Sequence, residues 1–167
     1  MGVEIEKKYI IEKPDFEILS RRDSYTQSEI VQIYLEAAVG KTHRVRSRTT
    51  NGKTVYTETV KIRIDKMSSQ EIENEITEDR FLELSANPRA NSNPIHKVRH
   101  TFISDGQLFE IDVYPEWKRS CIMETELPSR DTVVNMPMFL KILRDVTGDS
   151  AYSNSSMSKS FPKELEF

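Results

Sequence analysis

Cysteine, glycine and long apolar runs are all scarce in this sequence. The single cysteine, Cys121, excludes an internal disulfide and a zinc site built from cysteines, and we expect it to be a small buried side chain. No apolar run approaches the ~18 residues that a membrane-spanning helix needs. The N-terminus also lacks the apolar stretch of a signal peptide. The sequence therefore predicts a cytoplasmic protein without a membrane partner.

An excess of charge of one sign is also missing. The 167 residues contain 24 basic and 27 acidic side chains, which leaves a net charge of only -3 although 31% of the residues are charged. Binding to nucleic acid rests mainly on Lys and Arg at phosphates, so no nucleic-acid partner is expected for the surface as a whole. The length fits one domain over residues 1–167.

Alternating patterns dominate the chain. The opening segment "VEIEKKYII" places Glu4, Glu6 and Lys8 on one face of a strand, because successive side chains in a strand point to opposite sides. Asn51-Gly52 and Asp105-Gly106 are typical of tight hairpin turns. Similar alternation predicts further strands over 29–38, 43–50, 53–64, 69–77, 95–103, 107–115 and 121–127. Helices are predicted over 15–22, 78–84 and 130–147, the last ending at Gly148, and residues 153–160 are predicted to be irregular.

Strands that pair through tight turns are antiparallel. The pattern therefore predicts a mainly β (α+β) fold, in which eight antiparallel strands curl into a closed barrel and helices pack outside.

One face of nearly every predicted strand is ionisable. These positions are Glu4, Glu6, Lys8, Arg44, Arg46, Arg48, Lys61, Arg63, Glu71, Glu73, Glu75, Lys97, Arg99, Glu110, Asp112, Glu124 and Glu126. The opposite faces carry Val, Ile, Phe, Met and Leu. A solvated outer face is one interpretation, but such faces normally mix Ser, Thr and Gln among the charges. Because these rows are almost purely charged, and all but the first carry one sign, we favour a barrel with a charged interior.

A charged interior needs compensation, because an unpaired buried charge is very costly. An anion bridged to divalent metal ions supplies it. Arg and Lys bind phosphate oxygens, and carboxylates hold Mg²⁺ or Mn²⁺ together with substrate phosphates.

The motifs resemble one known family. Glu4-x-Glu6-x-Lys8, Arg44-x-Arg46, "TVK" ending at Lys61, Glu71-x-Glu73, Lys97-x-Arg99, "GQLFEIDVY" and Glu124-x-Glu126 follow in the order found in the CYTH, or triphosphate tunnel metalloenzyme, family. The tail "TGDSAYSN" is similar to that of bacterial members. The resemblance implies an eight-stranded tunnel that hydrolyses a triphosphate, most simply inorganic triphosphate, with Mg²⁺ or Mn²⁺.

The resemblance also implies roles for individual residues. Substrate phosphates are assigned to Lys8, Arg44, Arg46, Lys61, Lys97 and Arg99, to which strand parity adds Arg63. Metals or the attacking water are assigned to Glu4, Glu6, Glu71, Glu73, Asp112, Glu124 and Glu126. Tyr34 is a further catalytic candidate, and Lys8 is a candidate proton carrier because five other bases are expected to depress its pKa, with Glu6 as the alternative base. One departure is Ser69, where bacterial members usually carry arginine; Arg63 or Lys66 are candidates to replace it.

Several alternatives stay open. A class IV type adenylate cyclase uses the same tunnel, and a thiamine triphosphatase needs an aromatic platform, for which Trp117, Tyr34 and Tyr114 are candidates. A binding module for polyphosphate or nucleotide is the non-catalytic alternative. A lipocalin-like barrel, with the apolar face inside, is the fourth. Homodimerisation also stays open.

Overall fold

The strands form one antiparallel sheet. A computed structural model gives the structure of the chain and describes residues 2–167. The strands are β1 (Gly2–Glu12), β2 (Thr26–Leu35), β3 (Lys41–Thr50), β4 (Lys53–Arg63), β5 (Ser68–Ile76), β6 (Ile95–Ser104), β7 (Gln107–Val113), β8 (Ser120–Glu126) and β9 (Ile142–Asp145). The α-helices are α1 (Phe16–Leu19), α2 (Glu78–Ser85) and α3 (Asn154–Lys159), and Ser150–Tyr152 is a short 3-10 helix.

The sheet closes on itself through β1. The strand order is β5-β4-β3-β2-β6-β7-β8-β1, and β1 pairs in addition with β5. The first part of β1 pairs with β5, its residues 6–12 pair with β8, and Tyr9–Ile11 pair with β9. The predicted closed eight-stranded antiparallel barrel is therefore confirmed, with β9 as one extra strand.

Two hairpin turns fix the register of neighbouring strands. Asn51 and Gly52 have φ values of 51° and 77°, and Asp105 and Gly106 have 48° and 72°. Positive φ at both central positions is what a type I′ hairpin requires, which Asn, Asp and Gly tolerate best. The β3–β4 and β6–β7 hairpins therefore lie where the sequence predicted them.

Much of the apolar core lies outside the barrel. One cluster joins Phe102, Phe109, Ile111 and other outward side chains of β1, β6, β7 and β8 to Leu19 and Leu140. A second outer cluster packs α2, through Phe81, on β2 and β3. These segments cover the apolar outer faces, so the barrel needs no apolar filling in its middle.

A third cluster reaches into the barrel interior. It contains Ile10, Ile95 and Ile122, which lie on the same side of their strands as the charged residues, together with Trp117 and Tyr152. Val146 and Met157 belong to the same cluster, so the C-terminal segment packs against interior positions. Beyond Lys8 along β1, the interior therefore changes from charged to apolar.

The predicted helix over 130–147 is wrong. Pro137 lies in its middle, and proline both lacks the N–H that a helix interior needs and collides with the preceding turn. Residues 142–145 instead form β9 on the edge of β1 that β5 leaves free. The apolar residues that suggested a helix lie in two different clusters. Leu140 belongs to the outer cluster and Val146 to the interior one.

Two other local predictions need correction. Residues 153–160 contain α3, whose N-cap Ser153 accepts a hydrogen bond from the N–H of Ser156. The first helix spans only Phe16–Leu19, capped by Asp15, so it is shorter than predicted. Across residues 2–167, no helix is both long and apolar enough to cross a membrane.

Replacing Phe109 tests the outer position of the core. Phe109 is fully buried on the outer face of β7, whereas the neighbouring Leu108 is 47% exposed. Phe109→Ala is expected to lower the free energy of unfolding by about 3–5 kcal/mol, because it removes a large side chain and leaves a cavity. Leu108→Ala is the control and should change it by less than about 1 kcal/mol. Urea denaturation measures both, and equal losses would contradict this location of the core.

Candidate active site inside the barrel

A cavity of about 510 Å³ lies inside the barrel. All eight barrel strands contribute side chains to its wall, and β9 contributes none. The ionisable residues in the wall are Glu4, Glu6, Lys8, Lys41, Arg44, Arg46, Lys61, Arg63, Lys66, Glu71, Glu73, Lys97, Arg99, Glu110, Glu124, Glu126 and Asp149. The predicted charged interior is confirmed, although Arg48, Glu75 and Asp112 of the predicted rows do not line the cavity, and the lipocalin-like alternative is wrong.

Aromatic side chains contribute little to this wall. Tyr34 is the one aromatic residue among the described residues that line the cavity. Trp117 is 3% exposed, and its indole N–H donates to the carbonyl of Pro162 at 2.9 Å. Tyr114 is also buried in the interior cluster. Trp117 and Tyr114 are therefore packing residues and do not form the aromatic platform that the sequence left open.

A buried carboxylate organises one side of the cavity. The Oδ2 atom of Asp112 lies 2.8 Å from Lys97 Nζ and 2.9 Å from Arg99 Nη2, and its Oδ1 atom lies 2.8 Å from Arg99 Nε. Arg99 Nη1 also reaches Glu110 at 2.9 Å. Asp112 is 1% exposed and does not line the cavity. Its two oxygens hold Lys97 and Arg99, so Asp112 contacts basic side chains of the wall.

The same network sets the charge of Lys97. Burial, reinforced by Arg99 and Arg46, lowers the pKa of Lys97 to about 7, although Asp112 acts in the opposite direction. The pKa of Asp112 is lowered by Arg99 and Lys97 although its burial alone would raise it. Burial and the two arginines thus weaken the positive charge of Lys97, while Asp112 stabilises it.

Lys8 has a different environment from the one the sequence suggested. Its Nζ atom lies 3.1 Å from Glu124 Oε1 and donates to the carbonyl of Tyr152 at 3.2 Å. Burial alone would lower the pKa of Lys8, but Glu124 and Glu6 outweigh it, and the pKa is raised. The expected depression by neighbouring bases is therefore wrong, because the nearest charges are carboxylates. Lys8 in turn helps to lower the pKa of Glu124 to about 2 against the effect of burial.

Two arginines of β3 point into the cavity and are held differently. Arg46 donates from Nε and Nη2 to Gln32 Oε1 at 3.0 and 2.6 Å. Burial, with Arg44 and Arg99 nearby, lowers the pKa of Arg46 to about 9. Arg44 lies 3.8 Å from Glu71, and its Nε atom is buried without a hydrogen-bond partner. Gln32 was missed as a site residue, although its parity with Tyr34 placed it on the interior face.

Carboxylates crowd on another side of the cavity. Burial, Glu71 and Glu126 raise the pKa of Glu4 to about 7. The pKa of Glu6 is also raised, mainly by Glu124. No group of three or more His, Cys, Asp or Glu within residues 2–167 has the geometry of a ready metal site. The donor chemistry nevertheless fits Mg²⁺ or Mn²⁺, which prefer carboxylate oxygens, and the raised pKa of Glu4 reflects negative charge that a cation would relieve.

The remaining candidates also lie at the cavity. Lys61 Nζ lies 3.8 Å from Glu6, and Glu73 accepts a hydrogen bond from Thr59 at 2.8 Å. Arg63 lines the wall beside Lys66, as the sequence suggested for replacements of an arginine at Ser69. Ser69 itself is buried and pairs with Glu4 across the β1–β5 ladder. Sequence alternation missed the segment 146–155, which also lines the cavity.

Comparisons with known proteins agree with this geometry. No protein-family model matches the chain. An inorganic triphosphatase from Acetivibrio thermocellus is 32% identical over 160 residues, which cover 95% of each chain. A crystal structure of an inorganic triphosphatase is 26% identical, covers 97% of this chain and 98% of its own, and has a TM-score of 0.60. A putative adenylyl cyclase from Hippeastrum, reported to have a dominant triphosphatase activity, is 16% identical over 77% of this chain and 80% of its own, with a TM-score of 0.52. That likeness concerns the fold alone.

A closed antiparallel barrel, with acidic or basic side chains from seven of its eight strands around one cavity, defines a barrel protein with a charged interior. The relationship over nearly the whole length settles the family: the chain belongs to the CYTH, or triphosphate tunnel, family, and the inorganic triphosphatases named above are similar to it.

The crowding of carboxylates predicts a pH-dependent stability. The pKa of Glu4 is about 7 in the folded protein against an ordinary value of 4.5. As pH rises between these values the unfolded chain loses this proton first, so Glu4 lowers the free energy of unfolding progressively, and the full penalty persists above pH 7. Glu4→Gln in EDTA is therefore expected to be more stabilising at pH 8 than at pH 5. Urea denaturation at both pH values measures this, with the exposed Glu29→Gln as control, and equal effects of Glu4→Gln at both values would contradict it.

Proposed function

We propose that this protein hydrolyses inorganic triphosphate inside the barrel with the help of Mg²⁺ or Mn²⁺. The observation that carries the proposal is the enclosure of basic and acidic side chains from seven of the eight barrel strands around one cavity. Phosphoryl transfer needs positioning and charge neutralisation more than covalent chemistry, and such a wall offers both. The named activity of the related triphosphatases supports the same choice.

The basic residues of the wall are proposed to bind the phosphate oxygens. These residues are Lys8, Arg44, Arg46, Lys61, Arg63 and Arg99, and Lys97 joins them in its protonated form. The buried Nε of Arg44, which has no protein partner, supports this role because a phosphate oxygen would satisfy it. Gln32 and Asp112 act as positioning residues, since Gln32 holds Arg46 while Asp112 holds Lys97 and Arg99. A guanidinium group that is already held in place loses less conformational entropy on binding phosphate than one that must first be ordered.

The carboxylates of the wall are proposed to hold the divalent cation. They are Glu4, Glu6, Glu71, Glu73, Glu124 and Glu126. When bound there, the cation supplies neutralisation of phosphate charge and a lowered pKa for a water molecule. Lys8 partly compensates the negative charges of Glu124 and Glu6. It therefore helps to position these carboxylates as well as to contact phosphate.

Proton transfer is assigned to Lys97 in place of Lys8. A general base works best when its pKa lies near the working pH, and the pKa of Lys97 is about 7. Nζ of Lys97 would accept a proton from the attacking water while Asp112 keeps the amine in place. Glu6 is the less suitable base because it shares a hydrogen bond with Glu124.

The cavity wall favours an inorganic substrate over an organic triphosphate. Adenine and thiamine rings are commonly bound by stacking on aromatic side chains. Tyr34 is the single aromatic residue that the described part of the chain offers to the wall. The described residues of this wall therefore favour neither the cyclase reaction nor the hydrolysis of thiamine triphosphate.

A substrate panel tests the proposed reaction. Inorganic triphosphate with Mg²⁺ or Mn²⁺ is expected to be hydrolysed faster than ATP or thiamine triphosphate, and EDTA should stop the reaction. Arg46→Ala should lower kcat/KM by roughly 10²–10³-fold, because it removes a fixed charge from the phosphate site. The exposed Arg144, outside the cavity, gives the control Arg144→Ala, which should leave the rate unchanged. Phosphate release measures all of these, and tight binding of triphosphate without turnover would identify a binding module instead.

Replacing Lys97 with arginine tests the assignment of the proton acceptor. Lys97→Arg keeps a hydrogen-bond donor beside Asp112, but its guanidinium stays protonated at all working pH values and cannot accept a proton. The substitution should lower kcat at least about 10²-fold. It should also abolish the acidic limb of the pH–rate profile, which is the range where kcat rises with pH. Lys61→Arg is the matched control within the same wall and should keep that limb. A pH–rate profile measures both, and an unchanged acidic limb in Lys97→Arg would refute the assignment.

A further inference from the structure

Lys66 lies in the turn between β4 and β5, at the edge of the cavity. Its side chain is exposed and lines the cavity wall. Lys8, Lys61 and Lys97 of the wall each lie within 4 Å of a carboxylate, whereas Lys66 and Lys41 do not. Among residues 2–167, Lys66 forms no ion pair with any acid. It is a cation that faces the cavity and has its bonding capacity free for a ligand.

The turn that carries Lys66 is rigidly built. Asp65 Oδ1 accepts hydrogen bonds from the N–H groups of Met67 at 2.9 Å and Ser68 at 3.0 Å. The N–H groups of Ile64 and Asp65 both donate to the carbonyl of Ser68. From outside the barrel, Arg130 donates to Asp65 and to Ser68 Oγ. These bonds fix the backbone on both sides of Lys66.

Gly148 lies in close contact with Lys66. A Cβ atom added to Gly148 would lie 2.7 Å from Lys66 Cβ, 2.9 Å from its carbonyl oxygen and 3.0 Å from its Cα. Gly148 also has a φ of 75°, which favours glycine. No larger residue fits here without moving Lys66.

Gly148 is in turn attached to β1 beside the phosphate site. The N–H of Lys8 donates to Thr147 Oγ1 at 3.0 Å, and the N–H of Val146 donates to the carbonyl of Lys8 at 2.9 Å. Contacts through Gly148 and Thr147 therefore connect the backbone of Lys66 to the backbone of Lys8. This connection fixes the backbone of Lys66 relative to that of Lys8.

We propose that Lys66 is a further substrate-binding residue, which contacts the phosphate group nearest the β4–β5 turn, and that Gly148 sets its position. The proposal rests on the proposed binding of inorganic triphosphate in this cavity. A fixed backbone limits the region that the Lys66 ammonium group can reach, and its meeting with a phosphate oxygen forms a charge-assisted hydrogen bond. Because the contact exists in both ground and transition states, it acts on KM more than on kcat.

Substitution of Lys66 tests the contact. Lys66→Ala is expected to raise KM for inorganic triphosphate about tenfold with kcat nearly unchanged, and Lys66→Arg should recover most of the loss. Lys53→Ala removes the same charge from an exposed strand end outside the cavity and is the matched control. Equal KM values for Lys66→Ala and Lys53→Ala would overturn the proposal, as would equal losses in Lys66→Ala and Lys66→Arg.

Substitution of Gly148 tests the positioning. Gly148→Ala should raise KM as Lys66→Ala does, and it should add nothing further in the Lys66→Ala background. Gly52→Ala is the matched control, because Gly52 has a φ of 77° and no heavy atom within 4 Å of an added Cβ. It carries the same backbone strain without touching a cavity residue. A KM for Gly148→Ala equal to that of Gly52→Ala, or additive effects with Lys66→Ala, would overturn the role of Gly148. If Gly148→Ala fails to fold, Lys66→Ala and Lys66→Arg alone decide the proposal.

Binding measurements separate this proposal from the proposed reaction. Calorimetry with inorganic triphosphate and wild-type protein, in EDTA to prevent turnover, gives an affinity that does not depend on hydrolysis. An affinity lowered about tenfold in Lys66→Ala but not in Lys53→Ala supports the contact even if the wild-type protein shows no turnover. Hydrolysis by the wild type with equal affinities for the two variants would refute the contact and leave the proposed function standing.

Discussion

Compensation of charge inside an enclosed cavity is the constraint on which this structure depends. Ionised groups removed from water are costly unless opposite charges or hydrogen bonds meet them. Asp112 shows the compensated case, since its two oxygens hold Lys97 and Arg99 at hydrogen-bonding distance. Glu4 shows the opposite case, because burial and the neighbouring carboxylates of Glu71 and Glu126 raise its pKa to about 7. The barrel therefore contains both a preorganised basic side and an acidic side that favours a cation.

The position of the core follows from the same constraint. Since charged side chains line the cavity, the apolar side chains on the outer faces of the strands must be buried by segments outside the barrel. Phe102 and Phe109 pack under the segments around Leu19 and Leu140, and α2 covers β2 and β3 through Phe81. The C-terminal segment covers interior apolar positions, with Trp117 held to Pro162. Parts of the chain that look like irregular connections are thus needed to keep the barrel folded around its charges.

The composition of the cavity wall was predictable because alternation in a strand is strict. Once Glu4 and Glu6 share a face, every second residue shares it, and seven motifs with this pattern indicate a common interior. The pairing inside the cavity was not predictable in this way. Gln32 beneath Arg46, Asp112 beneath Lys97, and Glu124 beside Lys8 are contacts between residues distant in sequence. The direction of the Lys8 pKa shift was therefore misjudged, since counting bases says nothing about which charges are nearest.

The sequence alone determined which residues face the interior and where hairpins turn, because both follow from local backbone geometry, namely a side-chain period of two and the positive φ of Asn51-Gly52 and Asp105-Gly106. Only the tertiary structure decided that β1 closes the barrel with β5, that residues 142–145 extend a sheet edge instead of a helix, and that Gly148 rests on Lys66. Those outcomes depend on distant segments competing for the same edges and the same space. Free backbone hydrogen-bonding groups on β1 and close approach at a glycine are properties of the assembled barrel, and no stretch of sequence carries them by itself.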